Sequence, residues 1–216
     1  AAERYLCVGR KSAGSVRNGR RTRRLIEDAM ICTCCPRNCG VERTETKAGG
    51  VCRQPMLPVA AKAMLHQWEE PCLVGEHGAG TVFFPAANAL RFLSEQGNKP
   101  RLTGKLVSVG RLAEIFLELQ EKGAHNINLV TPPHFTKQII NALDITKPKL
   151  NIPVVYNTSG YELPEVIDYL EPYIDIYLTD FKYSNNEDAL KYSKAPDYVE
   201  KVKGASQEVS SNLKEK

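Results

Sequence analysis

Between residues 109 and 178 the chain alternates two hydrophobic periods, and this alternation constrains its fold more than any other feature. Residues 109–122 set Leu112, Ile115, Phe116 and Leu119 at helical spacing, with Gly123 placed to close the helix. Residues 127–130 read as a buried strand, 135–143 as a helix, 153–156 as a strand, 162–170 as a helix and 174–178 as a strand. Alternation at such short intervals predicts right-handed βαβ units and a parallel sheet, whose strands are covered on both faces. The expected fold class is therefore α/β.

Sheets of this kind carry their chemistry at the C-terminal ends of the strands. Here those ends read Thr131-Pro132-Pro133-His134, Asn157-Thr158-Ser159-Gly160 and Asp180-Phe181-Lys182, all polar or turn-forming. Upstream, 59–68 and 81–84 are strand-like runs separated by Gly75, Gly78 and Gly80, which predicts a strand-loop-strand. Those glycines lack the Gly-Lys-Ser/Thr ending of a phosphate loop. His66, His125 and His134 have no visible partner in sequence and read as rim or packing residues.

With 216 residues, 42% hydrophobic and 25% charged, and a net charge of only +4, the chain has enough apolar material for a sizeable core. No run approaches the ~20 apolar residues of a membrane span, and the first residues lack the pattern of a secretory signal. The reading is a cytoplasmic protein without a membrane partner. Within residues 1–24 the basic excess is concentrated at Arg4, Arg10, Lys11, Arg17, Arg20, Arg21, Arg23 and Arg24. This stretch reads as a solvated, disordered arm; with Tyr5 its one aromatic residue, nucleic acid is not an expected partner. A short helix is expected to start near Leu25.

Five of the seven cysteines fall within residues 32–52. Cys32-x2-Cys35-x3-Cys39 followed by Cys52 supplies four thiolates at a spacing that suits one tetrahedral zinc or an iron-sulfur cluster, with Pro36 and Gly40 to form the turns. The donor type does not choose between the two. Cys34 falls out of phase and reads as a bystander, and Cys7 and Cys72 stand apart. Residues 25–58 thus form a candidate metal-binding segment ahead of an α/β unit spanning 59–216.

Longer motifs carry a resemblance. Cys35-Pro-Arg-Asn-Cys-Gly-Val, His66-Gln-Trp-Glu-Glu-Pro-Cys72, Gly123-Ala-His-Asn-Ile-Asn-Leu-Val-Thr-Pro, Tyr156-Asn-Thr-Ser-Gly-Tyr-Glu162 and Asp180-Phe-Lys-Tyr183 together resemble radical S-adenosylmethionine proteins related to the pyruvate formate-lyase activating enzyme. The likeness runs from about Cys32 to about Tyr198. It implies a partial (β/α) barrel, a [4Fe-4S] cluster on a Cys-x3-Cys-x2-Cys loop, and S-adenosylmethionine chelated to its fourth iron. Reductive cleavage there yields a 5'-deoxyadenosyl radical. The resemblance also implies an electron donor and either a protein substrate of the glycyl-radical type or a small molecule, and it places Asn157, Ser159, Asp180 and Lys182 around the cofactor.

This chain departs from that pattern where it matters most. After Thr81-Val-Phe-Phe84, the three cluster-ligand positions hold Ala87, Arg91 and Ser94. Methyl, guanidinium and hydroxyl groups cannot replace thiolates on iron, so the literal sequence should not build the radical-generating cluster. Residues 85–100 have little family likeness. Two compensating frameshifts would explain them, since CTG codons at Leu90 and Leu93, read one base later, restore a Cys-x2-Cys; a nucleotide sequence without those codons would sink the idea. The likeness also ends near Gly204, so the barrel is expected to be incomplete at its C-terminal end, with its last strand lacking a neighbour. The alternative to an enzyme is a non-catalytic remnant that keeps the four-cysteine metal site as a binding module.

Overall fold

The computed structural model describes residues 6–8, 31–85 and 104–214. Four parallel strands form its centre: β4 (Ala79–Phe83), β6 (Ile127–Val130), β7 (Val154–Thr158) and β8 (Ile176–Thr179), adjacent in chain order. Two antiparallel strands flank them, β3 (Lys62–His66) on β4 and β1 (Leu6–Val8) on β8. The sheet is thus mixed and six-stranded, and its two outer strands, β1 and β3, are not paired with each other. A second, two-stranded sheet joins β2 (Val59–Ala60) to β5 (Lys105–Leu106).

The crossovers form for the reasons their sequence predicts. Helix α2 (Val109–Glu121) starts where the Ser108 hydroxyl accepts a 3.0 Å bond from the Arg111 amide, and ends at Gly123, whose φ is +86°. It buries Leu112, Ile115, Phe116 and Leu119, the same stripe that defines its period. Helix α3 (Thr136–Thr146) follows a 3₁₀ turn at Pro133–Phe135, and α4 (Pro164–Leu170) begins with proline at its first position. Together with Val82, Ile127, Leu129, Val154, Tyr156 and Tyr177 these helices form the main core on one face of the sheet.

Residues adjacent along a strand point to opposite faces, so Val155 and Leu178 face away from that core. The four-residue helix α1 (Pro71–Val74) covers them with Leu73, which is 1% exposed. After β8, helices α5 (Asn186–Ser193) and α6 (Tyr198–Lys214) close the described chain, with Tyr198 and Val202 packed on Ala189 and Ala195. Gly160, at φ +75°, lets β7 turn beneath α6: a Cβ there would stand 2.9 Å from Thr179 Cγ2 and 3.1 Å from Val202.

Several expectations need correction. Residues 59–68 are not one strand: the chain breaks at Ala61, sending β2 and β3 to different sheets. The last parallel strand does have a neighbour, because Leu6–Val8 of the basic arm pair with it, so those three residues are ordered in strand. The stretch beyond Gly204, where the family likeness ends, is helix to Lys214, which no expectation addressed. Residues 9–30 and 86–103, including Ala87, Arg91, Ser94 and the helix expected near Leu25, lie outside the described residues. No helix among the described residues is long and apolar enough to cross a membrane.

Candidate metal centre

Residues 31–58 contain little regular structure; their backbone is held by turns and by isolated bridges pairing Ile31 with Glu42 and Gly49 with Gln54. Backbone bonds from Cys32 to Val41 (2.8 Å) and from Gly40 to Cys32 (3.0 Å) fold the first three thiol positions into a tight loop, with Asn38 and Gly40 at positive φ. Cys39 and Cys52 lie on either side of Gly50, where a Cβ would come within 3.1 Å of the Cys39 sulfur.

Two arginines dock this loop on the α/β unit. Arg37 donates to the carbonyls of Ser193 (2.5 Å) and Lys194 at the C-terminus of α5, and its guanidinium lies 5.2 Å from the centre of the Tyr161 ring. Arg43 is buried at 7% exposure, donating to the His134 carbonyl at 3.2 Å and reaching the Cys34 sulfur at 3.8 Å. No carboxylate pairs with it among the described residues.

Cys32, Cys34, Cys35, Cys39 and Cys52 consequently line a single cleft, closed on its other side by Thr131, Pro133 and His134 after β6 and by Thr158, Ser159 and Tyr161 after β7. The four predicted ligands are therefore gathered at the C-terminal rim of the parallel sheet. Cys34 is gathered with them. Its sulfur lies 3.7 Å from that of Cys32, so the residue read as a bystander stands among the candidate thiols.

The three neighbouring thiols divide their protons unequally. The hydrogen bond from Cys34 brings Cys32 down to about 6, burial opposing and Arg43 assisting, and the same kind of bond lowers Cys35. Cys34 itself is pushed well up, since its proton serves both neighbours and the site is buried. Burial also raises Cys52. At neutral pH the trio thus carries thiolate charge beside a buried guanidinium, a soft anionic donor set of the kind zinc and iron prefer. Among the described residues no group of three or more His, Cys, Asp or Glu side chains is arranged to hold a metal ion, so the free thiols bond one another instead.

Two buried polar side chains adjoin the cleft: His134 in its wall, and Glu162 bonded to Thr158 of the same wall. The Glu162 carboxyl, 1% exposed, accepts a hydrogen bond from Thr158, and burial pushes it up to about 8. His134, 5% exposed, is driven down to about 3 by burial and by Arg43. Both are neutral near pH 7.

The remaining rim candidates do not share the thiol cleft, except Ser159, whose carbonyl also accepts from the Tyr198 hydroxyl at 2.7 Å. Asp180 and Lys182 pair with each other, and the Lys182 amide bonds the Tyr198 oxygen at 2.8 Å. Asn157 donates to Glu69 at 3.4 Å, on the face of the sheet that α1 covers. Glu69 lies within the His66-to-Cys72 motif. Burial, with Glu70 beside it, raises it to about 7, and the Glu-Glu pair in the His66-to-Cys72 motif is its one signal in the sequence.

Comparison with known proteins adds a short match. No family model matches the chain, and no solved structure matches it. Over 53 residues, 24% of this chain, it is 43% identical to an uncharacterized protein of Methanocaldococcus jannaschii, and the chain spans 16% of that protein's length.

Proposed function

We propose that this protein is a relative of the radical S-adenosylmethionine proteins whose surviving chemistry is a thiolate metal site, zinc or iron-sulfur, docked on the C-terminal rim of a partial (β/α) barrel. The observation that carries the reading is the buried Arg43 guanidinium. It faces the cysteine cleft with a sulfur and a carbonyl as its contacts, and a buried cation requires an anion. Thiolates held by a metal supply that anion at every pH where the site is loaded.

Cys32, Cys35, Cys39 and Cys52 would hold the metal, with Cys34 in reach of the same cleft. The metal, when bound, contributes cross-linking of a segment that has almost no core of its own. The chain's own residues do the rest. Arg43 offsets the surplus negative charge, Arg37 fixes the loop to α5, and Cys34 surrenders its shared proton as the thiols become ligands. Loading should therefore strengthen as pH rises.

The radical-generating cluster fits less well. Ala87, Arg91 and Ser94 offer no thiolate, and Lys182 and Asp180, expected around S-adenosylmethionine, already satisfy each other. No radical step is derived for this chain. Anaerobic reconstitution with iron and sulfide, followed by electron paramagnetic resonance with and without S-adenosylmethionine, tests the reading. Metal retained with no S-adenosylmethionine-sensitive signal supports it; a signal that changes on adding S-adenosylmethionine would contradict it and restore the enzyme.

A further inference from the structure

The thiol cleft holds one sulfur more than a tetrahedral metal uses. Cys32, Cys34, Cys35, Cys39 and Cys52 all line it, and all are free thiols. They differ in what they touch. The Cys39 sulfur accepts from the Val51 amide at 3.4 Å and the Cys52 thiol donates to the Gly49 carbonyl at 3.8 Å, so both are engaged by nearby backbone. Cys32 and Cys34 instead meet each other, sulfur to sulfur, at 3.7 Å. Spacing alone would favour a bridge from Cys32 to Cys35; the sulfur contact favours Cys34. A bond from Cys34 to the adjacent Cys35 would close a ring around a single peptide unit and strain its planarity. Arg43 reaches the Cys34 sulfur at 3.8 Å and bonds the His134 carbonyl, so this sulfur also stands in the clamp that docks the segment.

A sulfur–sulfur bond is about 2.05 Å long, so side-chain rotation is what separates this touching pair from a disulfide. We infer that Cys32 and Cys34 are a peroxide-sensitive dithiol, a modification site that oxidation converts reversibly into a disulfide. The step balances. One sulfur attacks a peroxide oxygen and becomes a sulfenic acid, releasing the other oxygen as water; the second thiol attacks that sulfur, and the S–S bond forms as a second water leaves. The two thiols give up two electrons and two protons in all, and the peroxide is reduced to two waters. A bridge between residues two apart gains little from loop closure, which places it with readily reduced, regulatory disulfides rather than structural ones. The disulfide does not rest on the proposed metal site; where thiolates hold a metal, the same bond would take Cys32 out of the donor set.

The test treats the reduced, chelator-stripped full chain with hydrogen peroxide in slight excess, then alkylates the remaining thiols and maps them by mass spectrometry. The expected product is lighter by two hydrogens, with Cys32 and Cys34 protected from alkylation until dithiothreitol is added and Cys35 alkylated throughout. Cys35→Ser should form the same product, and Cys34→Ser should not form a bridge in the same time. A bridge of equal yield in Cys34→Ser, a wild-type bridge that uses Cys35, Cys39 or Cys52, oxidation that dithiothreitol does not reverse, or thiols that all remain open to alkylation would each overturn the inference. Where Cys34→Ser does not fold, the wild-type map decides the question. The chain is metal-free throughout, so this outcome is separate from that of metal loading, which tests the thiolate site.

Discussion

The two ends of the described chain are held together by different physics. From 105 to 214 the fold rests on a stripe of apolar side chains per helix and on strands buried on both faces, so each element is stabilised by area removed from water. From 31 to 58 the buried residues are only Cys32, Arg43, Pro55 and Pro58, and the segment is positioned instead by turns, two arginine clamps and mutually bonded thiols. A region built by core burial resists the loss of any one polar contact; a region built by polar contacts can open locally while the rest stays folded. That makes the cysteine segment the part whose order a metal can control.

The sharpest way to break the comparison is in the core. Phe116→Ala, at a position with 0% exposure in α2, should cost about 3–5 kcal/mol of global stability, seen as a lower urea midpoint. A loss under about 1 kcal/mol would mean that burial along α2 does not hold the C-terminal region together.

A second test uses pH. Glu162 is protonated in the fold up to about 8 but ionises near 4.5 when unfolded, so the native state holds the extra proton between those values and stability falls as pH rises through that window. The slope is up to about 1.4 kcal/mol per pH unit. His134 acts oppositely: neutral in the fold down to about 3 and protonated below 6.5 when unfolded, it makes stability fall as pH drops through 6.5. The two effects offset each other between about 4.5 and 6.5; above that Glu69, raised to about 7, adds to the decline from Glu162, while Cys32, lowered from 9 to about 6, opposes it. Glu162→Gln should keep the Thr158 contact and remove this contribution, so that the wild-type melting temperature falls relative to the variant's from pH 6.5 to 8; a difference between the two that is flat over that range would contradict the burial argument.

A smaller and more local effect is expected from Arg37→Ala. Losing charged hydrogen bonds to the α5 carbonyls, about 1.5–3 kcal/mol, should speed amide exchange across 31–58 while leaving α2 and α3 protected. Uniform acceleration across both regions would erase the distinction between them. Smallest of all, Arg111→Ala removes exposed pairs with Glu114 and Glu118 and should leave the urea midpoint unchanged.

Much of the sheet is legible in the sequence because its signals are local. The stripe from Leu112 to Leu119 and the glycine at 123 define α2 within a residue, and the polar strand ends at 131, 157 and 180 follow from the alternation alone. What escapes depends on partners distant in sequence. Nothing in Leu6–Val8 announces that it will pair with β8, and nothing in 59–66 announces the break at Ala61 that divides it between two sheets. At the site, the cysteine spacing singles out Cys32, Cys35, Cys39 and Cys52 as candidates but leaves out Cys34, which the fold brings into the same cleft. His134, read there as a rim or packing residue, is buried, with its carbonyl held by an arginine 91 residues earlier. Glu162, the last residue of the Tyr156-to-Glu162 motif, is 1% exposed, a burial that its sequence does not announce.

Whether the cysteine cleft is a metal site is tested most directly by metal and sulfide analysis of the anaerobically purified chain, with the Cys32→Ser/Cys35→Ser double variant alongside. Stoichiometric zinc, or iron with sulfide, is expected in the wild type, and its loss in the double variant together with faster amide exchange confined to residues 31–58. A metal-free wild type that takes up neither zinc nor iron on reconstitution, or a double variant that keeps its metal, would contradict the metal site.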